Sequence, residues 1–383
     1  MADGFTRGAL HHDDGVYLDL PLADYLADSA LSGSAFKKLL SDPAGLYWES
    51  DANPLWLKPE RRADRARLRG SAAHAAILEG LAVYAARYVI KPEGVLESSA
   101  DLKRWLSNER ARRIADSIDG KLSKEDRDAV KQTGEREDLV ARILAIAPAT
   151  KIWEPDEDTE TLTPADDQYV RLLERFVRSD PTFAPLVSDG LPEVSIFWTE
   201  DGLRFKARID YLTAGTVLDL KTFGQAPRRG RGLREHCVAE AAFNAYDLQA
   251  VHNMRAVEVA ADRYFEDESD FAIVAGVTGA AGATKNNLCA SILQAYAQNG
   301  VGRRGPGVFR WLFLRMGSGP TGISIPFRRS DGQWSEAERQ IAAACDLYQQ
   351  FRDAYGDQLW MVTHGEQEIQ DMDWPLAAIR GAA

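Results

Sequence analysis

Cysteine is scarce: Cys237, Cys289 and Cys345 are the only three in 383 residues, and they lie 52 and 56 positions apart. No CxxC pair exists, which argues against a zinc site or iron–sulfur cluster built on thiolates. The odd count fits a reducing compartment with buried, inert thiols. Long apolar runs are also missing. The longest weakly polar stretch, 271–283, is too short and too glycine-rich to span a bilayer. The opening MADGFTRGALHHDDG lacks the apolar centre of a signal peptide, so the expectation is a cytoplasmic protein with no membrane partner. Neither an internal repeat nor a low-complexity segment is found. An excess of positive charge is absent as well: 46 Lys and Arg against 58 Asp and Glu leave a net charge of −12. On its face that balance argues against a nucleic-acid partner.

The distribution of charge says something different from the sum. Residues 58–69, KPERRADRARLR, carry six basic and two acidic side chains, and 227–234, PRRGRGLR, carry four arginines and no acid. By contrast, 154–167 hold seven acids and no base. Basic patches on an acidic body suit a protein that holds DNA at one groove and repels it elsewhere, although each run alone also fits a solvated helix face or loop. Apolar residues at 45% and charged residues at 27% are ordinary for a globular enzyme with a large core.

Chemistry concentrates in residues 202–222, GLRFKARIDYLTAGTVLDLKT. Apolar and β-branched residues on either side of Ala214-Gly215 predict two strands joined by a tight turn. With a two-residue loop Thr213 faces Thr216, and counting outward sets Asp210 opposite Asp219 on one face, their Cβ atoms roughly 5 Å apart; a register shifted by one is the alternative, because Ala-Gly is a weaker turn signal than Asn-Gly. Carboxylates that close repel by roughly 3 kcal/mol even at an effective dielectric near 20, so a hairpin that keeps them needs compensation. A divalent cation is the natural candidate. Period two brings Lys221 onto the face of Asp219, and Arg208, two before Asp210, onto that of Asp210, where it could pair with the acids or reach a phosphate. A bare D-x8-D-x-K pattern also occurs as a surface hairpin with solvated charges.

This pattern resembles the core of the PD-(D/E)XK nucleases. Residues 31–48, LSGSAFKKLLSDPAGLYW, with the pattern S-x-S-x-x-K-x-L-L-x-x-P, look like the opening of the RecE/exonuclease VIII-like branch, a phage-type exodeoxyribonuclease group. The same stretch reads as a short helix with Ser32 or Ser34 as N-cap and Pro43 ending it. A helix over 64–79, stopped at Gly80, contains GSAAHAAILEG. A lone histidine on such an apolar face is ordinarily a core residue, but the family's G-x-x-x-H-x-x-x-L segment supplies an imidazole to a metal, and His74 matches it. Glu193 stands where the family often has an acid near the metal; a charge at a strand end is the alternative. The family's Gln-x-x-x-Tyr helix is matched by Gln249, while Asn253 stands in place of the tyrosine and Tyr246 lies one turn earlier. Gln249 otherwise reads as a polar residue on a solvated face.

Elsewhere the patterns predict a strand at 84–90, helices at 101–117 and 123–146 (capped by Ser123 and Asp126), and an acidic linker at 154–167 running into a helix over 164–178. A hairpin is expected at 191–210, then a basic loop at 224–234 and a helix over 235–259. Strands follow at 271–278, 309–315 and 322–327, with a helical pattern at 287–298 and a closing helix over 335–355. Trp360 and Trp374 are expected to pack in a core or subunit contact. The organisation expected is an N-terminal arm (1–30) followed by one nuclease domain (31–383). That domain would carry a helical insertion at about 100–180 and a Gly/Ala-rich insertion at about 279–308, a flap over the site.

The resemblance implies an α/β (α+β) fold with a restriction-endonuclease-like core, a central mixed sheet flanked by helices. It further implies a metal-dependent exonuclease acting 5′→3′ on double-stranded DNA ends in recombination. His74, Asp210, Asp219 and the Leu220 carbonyl would hold Mg²⁺, with Glu193 as a further ligand and Mn²⁺ able to substitute given the imidazole. Lys221 would serve the attacking water and Gln249 would sit near the scissile phosphate. A homo-oligomer and a single-strand annealing protein are the partners it suggests besides DNA. Two alternatives stay open: an endonuclease of defence or repair on the same core, and a DNA-binding protein that does not cleave.

Overall fold

The computed structural model describes residues 11–49, 65–96, 98–118, 132–153, 160–224, 227, 230–266, 270–298, 307–317, 319–356, 358 and 360. The expected caps Ser123 and Asp126, residues 58–64, 154–159 and 299–306, and Trp374 lie outside them.

In chain order, β1 (Gly15–Leu18), α1 (Leu22–Ala27), α2 (Gly33–Ser41) and α3 (Pro43–Trp48) lead into α4 (Arg65–His74), which a π turn extends over Ala75–Glu79. Next come α5 (Leu81–Arg87), β2 (Tyr88–Ile90), α6 (Ser99–Ile118), α7 (Arg136–Ile146), β3 (Glu160–Leu162) and α8 (Pro164–Ser179). The central meander is β4 (Leu191–Glu200), β5 (Leu203–Leu212) and β6 (Thr216–Phe223). After it run α9 (Leu233–Phe243), α10 (Tyr246–Tyr264), β7 (Ala272–Ala275), α11 (Gly279–Gln298), β8 (Val308–Arg315), β9 (Gly322–Phe327) and α12 (Gly332–Tyr355). The fold is mixed α/β: a seven-stranded sheet in the order β7-β1-β4-β5-β6-β8-β9, parallel at β7–β1 and β6–β8 and antiparallel at the other pairs, flanked by helices.

Alternation along β6 and β8 sorts the two layers. Val217, Phe309, Trp311 and Phe313 face a core shared with α2, α10, α11 and α12. Leu218, Leu220, Leu312 and Leu314 face a second core with Ala73 of α4, Ile77 and Leu78 of the π turn, and Leu173 and Val177 of α8. The site therefore sits on a sheet buried on both faces, which is why β6 reads as a nearly continuous apolar strand interrupted by Asp219. The β4–β5 turn is Asp201-Gly202 with φ of 50° and 75°, the left-handed pair that a two-residue hairpin demands.

Several expected boundaries differ from those found. Part of the polar arm is structural: β1 pairs with both β4 and β7, and α1 buries Tyr25. Residues 84–87 finish α5, and only 88–90 form strand, because the Ala-Ala pair favours helix where burial does not decide. The acidic stretch contributes β3, paired in parallel with β2. Within the expected insertion, α6 and α7 share a small core of Leu102, Leu106, Leu139 and Ile143, but α8 belongs to the main second core. Residues 279–298 are no flap: Cys289, Ile292, Leu293 and Tyr296 of α11 are buried against the first core. The helix expected over 235–259 is two helices, parted where Ala245 takes φ 51°. Cys237 and Cys289 are buried, Cys345 half-buried. Trp360 is buried and stacks on Tyr47 at 5.4 Å.

Candidate functional site

The β5–β6 hairpin has the register counted from the sequence. The Thr213 amide donates to the Thr216 carbonyl at 3.0 Å, and Leu212 and Tyr211 pair with Val217 and Leu218. The next opposed residues are Asp210 and Asp219, and there the ladder stops. In place of a backbone partner, the Leu220 N–H donates to Asp210 Oδ2 at 2.8 Å. The strands part at the two acids, and the gap between them is the site.

A second irregularity opens the other side of Asp210. Ile209 and Leu212 of β5 both face the first core, as do Leu191 and Val194 of β4. An interval of three instead of an even number means that the alternation slips by one in both strands at the same place. That place is the opposed pair Glu193 and Asp210, which makes no ladder pair, and Glu193 has φ 53°. Left-handed backbone at a glutamate is strained by about 1–2 kcal/mol, and its effect is to swing both carboxylates out of the pleat.

The geometry departs from two acids simply sharing a face. Asp210 reaches the helical layer of the second core, where His74 Nδ1 lies 3.6 Å from its Oδ2. Donor atoms of His74, Glu193 and Asp210 all lie within 4.8 Å of one another. Asp219 stands outside that trio and is paired with Lys221. The Lys221 ammonium donates to Asp219 Oδ1 at 2.9 Å and to Gln249 Oε1 at 3.1 Å, while Gln249 Nε2 donates to Asp219 Oδ1 at 3.1 Å. The Tyr246 ring lies 4.5 Å from the same ammonium. Gly33, at the start of α2, lets that helix approach: a Cβ there would stand 3.2 Å from Gln249 Cα. Asn253, one turn beyond Gln249, is buried.

Supporting bonds fix the trio from behind. Arg208 Nε donates to Glu193 Oε2 at 2.6 Å, and its Nη1 to the Leu20 carbonyl at 2.8 Å and Ser195 Oγ at 3.1 Å. Arg208 is thus committed to the protein and holds one glutamate oxygen. Leu20 and Ser195 have no sequence signal that marks them for this role. Leu220 contributes its N–H to Asp210, and its side chain is in the second core.

The residues present fit a divalent cation. Asp219 is 1% exposed, and its Oδ2 is buried without a hydrogen-bond partner, a costly state for a carboxylate oxygen unless a cation or a proton meets it. Burial pushes Asp219 up to about 6 and Asp210 up to about 7, against the pull of the Lys221 ammonium. Burial alone would lower the Lys221 ammonium, but Asp219 and Asp210 raise it above its ordinary value. Burial also lowers His74, leaving a neutral imidazole able to ligate. An imidazole and carboxylate oxygens form a donor set for a hard or borderline ion such as Mg²⁺ or Mn²⁺.

In the described part of the first basic run, within α4, Arg65 and Arg69 are engaged by the protein, reaching Asp166 at 3.0 and 3.1 Å. Arg231 and Arg234 of the second run are exposed.

No family model matches the chain, and no curated protein matches it. Among solved structures it is similar to one described as a "putative exonuclease" from Eubacterium rectale, with TM-score 0.42 and 11% identity over 87% of this chain and 88% of that one. A likeness of that size carries no mechanism or substrate across. Among the described residues no helix is long and apolar enough to cross a membrane.

Proposed function

We propose that this chain is a metal-dependent nuclease of the PD-(D/E)XK type, RecE-like, that hydrolyses DNA phosphodiesters from double-stranded ends in the 5′→3′ direction. The observation that carries the reading is the gap between β5 and β6. It joins a three-donor cluster (His74, Glu193, Asp210) to a buried carboxylate with one unpartnered oxygen (Asp219) and a lysine held beside it. His74, Asp210 and Asp219 would hold Mg²⁺ or Mn²⁺, with Glu193 and the Leu220 carbonyl completing the set. A divalent cation in that position supplies Lewis-acid polarisation of a phosphoryl oxygen.

The chain's own residues account for the rest. Lys221 orients a water for attack and offsets the charge that develops on the phosphorane oxygens, a term largest in a water-poor site. Gln249 fixes the lysine by accepting from it while donating to Asp219, and the Tyr246 ring favours the cation over its face. Arg208 keeps Glu193 turned into the site.

Incubation with linear and covalently closed duplex DNA, with and without Mg²⁺ or Mn²⁺, tests this function. Metal-dependent release of nucleotides from the linear form alone is expected. Cutting of the closed form would move the assignment to an endonuclease, and binding without cleavage under any metal would remove the enzyme reading.

A further inference from the structure

We infer that Phe243, at the C-terminal end of α9, is a stacking platform for a nucleobase of the strand whose phosphate enters the site. This rests on the nuclease reading and adds to it how the substrate is gripped.

Phe243 is 84% exposed, whereas the next most exposed large apolar side chain among the described residues, Leu22, stands at 55%. Isolated apolar side chains on a surface are common, but a phenyl ring left almost wholly in water three residues before Tyr246 is not explained by packing. The ring is also not on a floppy segment. His236, Cys237 and Ala241 anchor the inner side of α9, and His236 packs on Phe223, two residues beyond Lys221, at 5.4 Å. The Asn244 side chain closes the corner by donating to the Glu240 carbonyl and carboxylate at 2.9 and 3.0 Å. Ala245 then turns the chain with φ 51°, so that α10 starts with Tyr246, whose ring lies 4.5 Å from Lys221 Nζ. An exposed aromatic is therefore held three residues from the ring that touches the proposed catalytic lysine.

The rest of that surface points to the same kind of ligand. Arg234, Val238 and Ala242 succeed one another at four-residue intervals along the outer side of α9 and are exposed, and Arg231 precedes them. Two exposed arginines followed by apolar groups and an exposed ring, with Glu235 the exposed acid among them, on a chain of net charge −12, suit a nucleic-acid strand: guanidinium groups for its phosphates, the π face for a base. Such stacking does not depend on which base is presented, as a nuclease without sequence preference requires.

The test uses the full chain in Ca²⁺ buffer and a short single-stranded oligonucleotide carrying 2-aminopurine, whose fluorescence falls on stacking. Phe243→Ala should weaken binding about 5- to 150-fold and abolish the quenching. Phe243→Trp should retain both, and Phe243→Leu, apolar but without a π face, should behave like the alanine variant. The melting temperature should stay that of wild type, because the ring packs on little. Wild-type binding and quenching in Phe243→Ala, or their recovery in Phe243→Leu, would overturn the inference. So would a Phe243→Ala protein that loses self-association and keeps its DNA binding, because the ring would then serve a contact between copies. Cleavage by wild type separates the two levels: an active enzyme indifferent to position 243 removes only this inference, and a wild type that neither binds nor cuts DNA removes the nuclease reading with it.

Discussion

Asp219 has Lys221 and Gln249 on Oδ1 but nothing on Oδ2, Asp210 accepts from the Leu220 N–H, and burial pushes both up, to about 6 and about 7. Because a divalent ion binds the ionised forms, its affinity must compete with protons in that range. Mn²⁺ affinity measured by calorimetry should therefore fall as pH drops through 7 and 6, and Asp219→Asn should bind weakly and keep only the pH dependence that Asp210 supplies. The same shifts fix a sign for stability. An acid whose pKa is higher folded than unfolded retains a proton in the folded state across the interval, so stability is lost as pH rises from about 4 to about 7. In metal-free buffer the wild type should lose stability relative to Asp210→Asn over that window, as read by urea unfolding at each pH. A difference that stays flat would mean that Asp210 is not held protonated. At this scale the sequence was informative where chemistry depends on spacing: the period of two and the tight Ala214-Gly215 turn set Asp210 against Asp219 and Lys221 beside it. It pointed to Glu193 only through the family resemblance and was silent on its backbone, because nothing in the letters LPEV announces a glutamate with positive φ.

Elements were legible where a single rule governed them. The amphipathic helix after Pro164, the Asp201-Gly202 hairpin and the stop at Gly80 all follow from local capping and turn chemistry. Missed elements were those settled by distant partners. β1 has only four residues within a polar stretch, and its status as a strand comes from β4 and β7 on either side. The break between α9 and α10 was hidden because Ala245, a strong helix former, sits in a left-handed conformation that tertiary packing imposes. That strain leads to an expectation. Ala245→Gly should raise stability by about 0.5–1 kcal/mol, the relief of left-handed alanine less the added freedom of the unfolded chain, seen as a shifted denaturation midpoint with unchanged slope. A destabilised variant would mean that the alanine methyl is doing packing work that outweighs its backbone strain.

Across the whole molecule, helices on both faces of the sheet supply the site: His74 comes from the second-core side, Gln249 and Tyr246 from the first, and the acids and lysine from strands that separate between them. Such a site depends on both layers closing on one gap in the sheet, and with a net charge of −12 a bound cation and local basic groups would favour the approach of DNA that we propose. The most direct measurement is the Mn²⁺-dependent release of acid-soluble nucleotides from linear duplex DNA by wild type, Asp210→Asn, Asp219→Asn and Lys221→Met, each checked for an unchanged fold. Wild type should release nucleotides only with metal, and each variant should be slower by at least about 100-fold. Equal rates in wild type, Asp219→Asn and Lys221→Met would contradict the assignment of this gap as the place where the phosphodiester is cut.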